Sequence, residues 1–337
     1  MRLTNNKPVW WGWTLSLAIL LVIVCLFSLG VGAVHIPLQK VLVLLTRGRG
    51  TPEYTILFAV RLPRILLGLA VGGGLAIAGV MLQGMFRNPL VEPYTLGISG
   101  GAALGVALNI VAGNAARFGL FSLPVSGFLG ALGIISLVYL LGTRKGMVKL
   151  SRLLLIGVMV SFICSSLIML IMAMTKAEDL QGIIFWIMGS LQEPNTALIG
   201  AILCISFGGL IAALMLSVHL NALSLGEEEA FHLGVRVERL KKILFLLASF
   251  ITGCCVSVTG IIGFVGLAVP HAMRLLVGGD HRIVIPTSYL AGAIFLILCD
   301  TLARVALAPL ELPVGVITGL VGGGLFIYIL SSKGSSF

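Results

Sequence analysis

An all-α chain that crosses a lipid bilayer about ten times is what this sequence predicts, and three observations predict it. Of 337 residues, 58% are hydrophobic and only 10% charged, with a mean hydropathy of +1.14; soluble chains carry about a quarter charged residues. Apolar runs of about 20 residues recur along the whole length, which is what a helix needs to cross ~30 Å of hydrocarbon. The remaining charges gather in the short segments between those runs. No stretch is left for an independent soluble domain, so residues 1–337 read as one transmembrane domain. A formal charge of +10 would point to nucleic acid in a soluble chain. Here basic loops beside a membrane account for it, lipid is the expected surrounding, and no nucleic-acid partner is expected.

Taken in order, the apolar runs are 11–34, 62–86, 95–113, 119–142, 153–174, 197–219, 243–260, 261–277, 284–308 and 313–330. The first is longer than the apolar core of a signal peptide, and no small-residue cleavage site follows before His35, so it reads as a retained span. The seventh and eighth are separated only by Gly260 and Gly263, and Pro270 is expected to break the second of them. Two shorter pieces, 36–45 and 180–191, are too brief to cross and are expected at the outer surface. With the N-terminus in the cytoplasm, an even span count returns the C-terminus there. Fourteen Lys and Arg then face the cytoplasm, against eight outside: Lys40, Arg47, Arg49, Arg61, Arg64, Arg117, Lys176 and Arg304. That excess obeys the positive-inside rule. Trp10, Trp11, Trp13 and Trp186 fall at span ends, as interfacial aromatics do.

Glycine is abundant, at 43 residues, and clusters inside the runs, as in Gly72-Gly73-Gly74 and Gly322-Gly323-Gly324. Small residues let helices approach closely where apolar contact alone does not drive association. The six cysteines all lie within apolar runs with no CxxC and no His beside them, so they read as small buried hydrophobes. His271 and His281 lack partners at metal-ligand spacing and read as structural. No GxxxxGK[ST] occurs, so the chain carries no phosphate-cradling loop, and no nucleophile–base pairing stands out. The stretch from Arg61, RLPRILLGLAVGGGLAIAGVMLQGMF, faintly echoes RLKKILFLLASFITGCCVSVTGIIGF from Arg239 in the opposite direction, the pattern of an inverted repeat.

The one extended polar segment is 220–242. Glu227, Glu228 and Glu229 precede Arg236, Glu238, Arg239, Lys241 and Lys242, with Ala230, Phe231, Leu233, Val235, Val237 and Leu240 threaded between them. It reads as two short helices hinged at Gly234, shaped to sit in the groove of a soluble partner. The loop Met85–Tyr94 carries Pro89 and Pro93 and forms a stiff non-helical turn, either an ordinary tight loop or a gate at an inner mouth.

Five stretches carry a resemblance: RLPRILLGLAVGGGLAIAGVMLQGMFRNPLVEPYTLGISGGAALG (61–105), FWIMGSLQ (185–192), LGEEEAFHLGV (225–235), GIIGFVGLAVPHAMRLLVGGDHR (260–282) and DTLARVALAPLELPVGVITGLVGG (300–323). In this order they resemble the permease subunits of type II ABC importers, the FecCD family of iron–siderophore, haem and cobalamin carriers. The resemblance implies a homodimer in the bacterial inner membrane, with the path on its two-fold axis. It implies two cytoplasmic ATPase subunits, which hold the ATP and Mg, and a periplasmic binding protein. No cofactor and no catalytic residue is expected in this chain itself. Arg61, Arg64 and Arg304 match the arginines that dock the binding protein. Read from the residues alone, Arg61 and Arg64 could equally anchor to headgroups, and Arg304 could pair with Asp300 at i,i+4. Gly226, Glu228, Ala230, Leu233 and Gly234 match ATPase contacts in the coupling loop. Asn88 and Leu90 match one cytoplasmic gate. A second, at Leu150 and Ser151, departs from the family, which is often Ser/Thr-rich where this chain has Lys149-Leu150-Ser151. Gly322-Gly323-Gly324-Leu325-Phe326 likewise departs from the usual Gly-x-Pro-Phe.

The expected function is therefore import of an iron(III)–siderophore-type chelate, with haem, cobalamin or an oxyanion as alternatives on the same architecture. A secondary transporter would need intramembrane acids, and only Asp300, Glu92 and Glu311 come close.

Overall fold

The computed structural model describes residues 7–32, 34, 36, 37, 39–41, 50–114, 119–144, 147–193 and 195–332. Arg2, Arg47, Arg49, Arg117, Lys145, Lys333 and residues 42–45 of the predicted outer piece lie outside them. Each of the ten apolar runs contains a helix among the described residues. In chain order the main helices are α1 (Lys7–Gly30), α2 (Leu62–Phe86), α3 (Ile98–Val111), α4 (Ser122–Gly142), α5 (Leu150–Met174), α6 (Ala177–Met188), α7 (Thr196–Leu225), α8 (Glu227–His232), α9 (Val237–Thr259), α10 (Val265–Val277), α11 (His281–Val305) and α12 (Val314–Ser332), with one helical turn, Pro52–Thr55, and a π-helical stretch, Ile56–Arg61, leading straight into α2. A two-residue-per-strand hairpin, β1 (Thr143–Arg144) with β2 (Met147–Val148), joins α4 to α5. Seven helices are long and apolar enough to cross a bilayer, whereas α3, α10 and α12 are shorter.

The bundle is built around α2, which is buried along nearly its whole length and packs against α11, α7, α9 and α10. Glycine makes that possible. A Cβ at Gly72 would collide with the Gly292 carbonyl on α11, and one at Gly79 with the Gly266 carbonyl on α10. The helices therefore touch backbone to backbone. On α12 the glycines divide: a Cβ at Gly315 would collide with the Met188 and Ile261 carbonyls and one at Gly322 with the Phe264 side chain, whereas Gly319 and Gly324 meet nothing within 4 Å.

The two shortest of the helices formed by the apolar runs, α3 and α10, each follow a segment outside the α-helices, 88–97 and 260–264, and these segments are stitched together. The Tyr94 hydroxyl donates to the Ile262 carbonyl at 2.9 Å and accepts from the Ile262 N–H at 3.2 Å. Glu92 Oε1 accepts from the Phe264 N–H at 2.8 Å. Phe264 caps α10 with a left-handed φ of +67°, and next to it Gly266 packs on Leu75 and Gly79, midway along α2. The joint thus lies at mid-bundle, where no water is available and irregular backbone must be satisfied by protein. The Met85–Tyr94 turn begins at a bundle end as expected, but its second half runs back inside. Pro270 does not break the eighth run: α10 continues through it. The second piece expected at the outer surface is the helix α6, whose Ile183 is buried beside Ala103, Ala107 and Ile168.

Candidate functional site

Two charged clusters sit at opposite ends of α2. At its first turn, Arg61, Arg64 and Arg304 come together, as their shared assignment requires. They are not displayed on the surface, however: the three are 3%, 4% and 3% exposed. Arg64 donates through Nε (3.1 Å) and Nη2 (2.9 Å) to Asp300 Oδ1, and through Nη1 (2.7 Å) to Glu311 Oε2. Arg304 Nε lies 3.1 Å from Asp300 Oδ2 in the i,i+4 pair anticipated from spacing, as an ionic contact without hydrogen-bond alignment. Its Nη2 donates to Ser28 Oγ at 2.7 Å, and its Nη1 to the Val31 carbonyl at 3.2 Å. Arg61 donates to the carbonyls of Leu29 and Val34. The last carbonyls of α1 are thus met by two guanidinium groups, a favourable place for cations because the helix dipole is negative there.

Three cations stand against two carboxylates, which pair with Arg64 and Arg304 but not Arg61, so the cluster holds one surplus positive charge. Asp300 is 1% exposed and serves two arginines. Glu311 stands at the rim with its side chain 36% exposed and also accepts from Gln192. Burial pushes the Glu311 carboxyl up, but the bond from Arg64, the charge of Arg64 and the bond from Gln192 together hold it below its ordinary value.

The other cluster surrounds the polar loop. Gly226 ends α7, and α8 follows with three glutamates in its first turn, where the helix dipole favours them. The helix closes on Gly234 at φ +82°, with the Gly234 N–H on the Phe231 carbonyl (2.9 Å) and the Val235 N–H on the Ala230 carbonyl (3.0 Å). Glycine is suited to that left-handed turn. Of the five coupling residues, Glu228, Leu233 and Gly234 face outward, whereas Gly226 is buried and Ala230 is fully buried in the body of the bundle. Sequence reasoning passed over Phe231, which is 70% exposed beside Leu233 at 64%. Its signal was present, since it is the one aromatic in the polar run. The second short helix expected after Gly234 is absent: α9 starts at Val237 and continues as a long helix, so Glu238, Arg239, Lys241 and Lys242 ride on its first turns.

Beneath the loop, Asn221 of α7 donates to Asp280 Oδ1 at 2.8 Å and accepts from the His281 N–H at 2.9 Å. Asp280 caps α11. Burial works against its charge, but bonds from Arg282 and Asn221 hold its carboxyl down at about 2. Of the gate residues, Asn88 Oδ1 accepts from the Leu90 N–H at 2.9 Å, an Asx turn that leaves Leu90 53% exposed. Leu150 is half-buried and Ser151 exposed on the first turn of α5. Among the described residues no cluster of three His, Cys, Asp or Glu could hold a metal ion, and the cysteines form no disulfide.

The sequence model of the FecCD transport family matches residues 20–332. The chain belongs to the FecCD transport family. Among its relatives, the hemin transport system permease protein of Yersinia pestis is 39% identical, with 93% of each chain covered. The molybdate import system permease protein of Haemophilus influenzae is 38% identical over 92% of this chain and 93% of that one. A solved metal-chelate type ABC transporter, caught inward-facing, superposes with a TM-score of 0.84 at 36% identity, covering 96% of this chain and all of that one. This FecCD protein is accordingly an ABC importer permease, a transport subunit and a multi-pass protein of the inner membrane.

Proposed function

We propose that this permease imports an iron(III)–siderophore-type chelate as a homodimer, levered by two ATPase subunits on its 220–242 loops and fed by a binding protein at its opposite end. The observation that carries the reading is the outward pair Phe231 and Leu233 on α8, an apolar knob ringed by glutamates at the end of the bundle where Arg87, Arg236, Arg239, Arg274 and Arg282 also collect. Exposed aromatic and aliphatic anchors with a charged rim are the makings of a protein interface. ATP and Mg belong to the ATPase, and the chelated metal is cargo. A second reading, haem as cargo, is favoured by the 39% identity to the hemin permease over 93% of the chain.

Reconstitution in liposomes tests both. The permease alone is expected to move nothing. With ATPase and binding protein, ATP turnover is expected to rise with the cognate ligand of a panel containing ferric hydroxamates, haem, cobalamin and molybdate. Uptake by the lone permease would sink the proposal, and stimulation by haem alone would select the second reading.

Docking at Arg61, Arg64 and Arg304 is part of this proposal. The surplus positive charge would receive a carboxylate of the binding protein, which must compete with Glu311 for Arg64. Reversing the arginines would break buried ion pairs and leave the result ambiguous. Glu311→Gln keeps Asp300 on Arg64 while adding net positive charge. It is expected to speed association with the binding protein by about 2- to 5-fold at low salt, the scale of one exposed ion pair, and to steepen the salt dependence. Slower or unchanged association would remove the arginines from the docking site.

A further inference from the structure

Lys241 is the one lysine buried among the described residues, with its side chain 3% exposed. Its ammonium has three hydrogens to give, and the structure provides three acceptors on three elements. Nζ lies 2.9 Å from Glu227 Oε2 at the first residue of α8, 2.6 Å from Glu238 Oε1 on α9 and 3.1 Å from the Val148 carbonyl on β2. Glu238 completes the arrangement, because its Oε2 accepts the Val148 N–H at 2.7 Å. Both backbone polar groups of Val148, a residue 2% exposed, are therefore held by α9 side chains. The hairpin itself has only two residue pairs, Thr143 with Val148 and Arg144 with Met147, too few to stand alone. Two residues past Val148, α5 begins.

We propose that Lys241 is a positioning residue that makes the β1–β2 hairpin, and with it the start of α5, follow α8 as one body. The inference rests on the reading that an ATPase engages α8. Under that reading, the stroke delivered to the coupling helix reaches Leu150 and Ser151 through the buried ammonium, which ties Glu227 of α8 to Val148 and to Glu238, itself bonded to Val148. The linkage explains why a lysine occupies a dry site in an otherwise apolar contact. Its two carboxylates remain 44% and 40% exposed, so they can rehydrate when the cation is removed. Lys241→Met, which keeps the length of the side chain, is therefore expected to fold.

The test uses the full complex in lipid nanodiscs, in a Cys25→Ser, Cys204→Ser background that removes the two cysteines that are not buried. Spin labels are placed at His232 on α8, at Met147 on the hairpin and at Leu276 on α10, all three exposed. When the ATPase is trapped with nucleotide and vanadate, the His232–Leu276 and Met147–Leu276 distances are expected to change together while His232–Met147 holds. In Lys241→Met, His232 should still move but Met147 should not. Transport per ATP should fall about 5- to 150-fold, the range of a typical coupling free energy, with basal ATP turnover retained. Lys241→Arg should recover part of the transport. If Met147 stays put in the unsubstituted complex while His232 moves, or if Lys241→Met transports normally, the inference is overturned. If His232 itself ignores nucleotide, the fault lies with the ATPase reading instead.

Discussion

Replacing Asp300 with alanine is expected to cost the protein about 3–5 kcal/mol, the price of stranding a buried charge when one partner is removed. The expectation is at the upper end because one carboxylate serves two cations. Oδ1 takes Arg64 at 2.9 Å, Oδ2 stands 3.1 Å from Arg304, and all three side chains are at most 5% exposed. Arg64 would keep its bond to Glu311, but Arg304 would lose its one directly paired acid and be left with the hydroxyls and carbonyls of Ser28, Val31 and Thr301 and the more distant charge of Glu311. The result should appear as a large drop in thermal unfolding temperature in detergent and in the yield of monodisperse protein. Asp300→Asn should fall between, because it keeps an acceptor and loses the charge. An unaltered melting curve for the alanine variant would mean that the ion network contributes nothing to holding α1, α2 and α11 together.

The second large effect is expected at the opposite end. Phe231→Ala with Leu233→Ala should leave stability nearly unchanged, since both side chains stand outside the bundle. Association with the ATPase should weaken by at least ~30-fold, the loss that accompanies truncation of an interface anchor worth ~2 kcal/mol. Binding measured between purified subunits in detergent, at several salt concentrations, decides it. Full affinity in the double variant would move the ATPase interface away from α8. Ala230→Leu provides the contrast. Ala230 is fully buried, so added bulk there should cost stability by overpacking, about 1–3 kcal/mol, before it touches any partner.

Much of the fold was legible because it depends on local composition. An apolar run long enough to cross a membrane has only one way to satisfy its backbone, so the seven membrane-length helices could be read directly, whereas three of the ten expected spans form shorter helices. The i,i+4 pair of Asp300 and Arg304 was legible for the same reason. What escaped were partnerships between distant residues. Arg64 lies 236 positions from Asp300, and nothing in its local pattern announces that buried acid. Lys241 sits in a run that reads as solvated, and its carbonyl partner is 93 positions away. The same holds for Glu92 and Tyr94. Pro89 and Pro93 signalled a turn, but nothing in the local pattern said that the turn re-enters the bundle to meet Ile262 and Phe264. Family likeness assigns the 220–242 segment as the coupling loop, yet it could not say which of its side chains point away from the membrane domain.

The way α2 is enclosed limits how this machine can move. Helices that meet carbonyl against glycine have no slack to slide past one another, and the crowded column formed with α10 and α11 must keep its shape throughout a transport cycle. Freedom is left to an element outside that column, α5, most of whose surface faces outward. Under the proposed transport cycle the column is a stator, and alternating access is a swing of α5 against a fixed post.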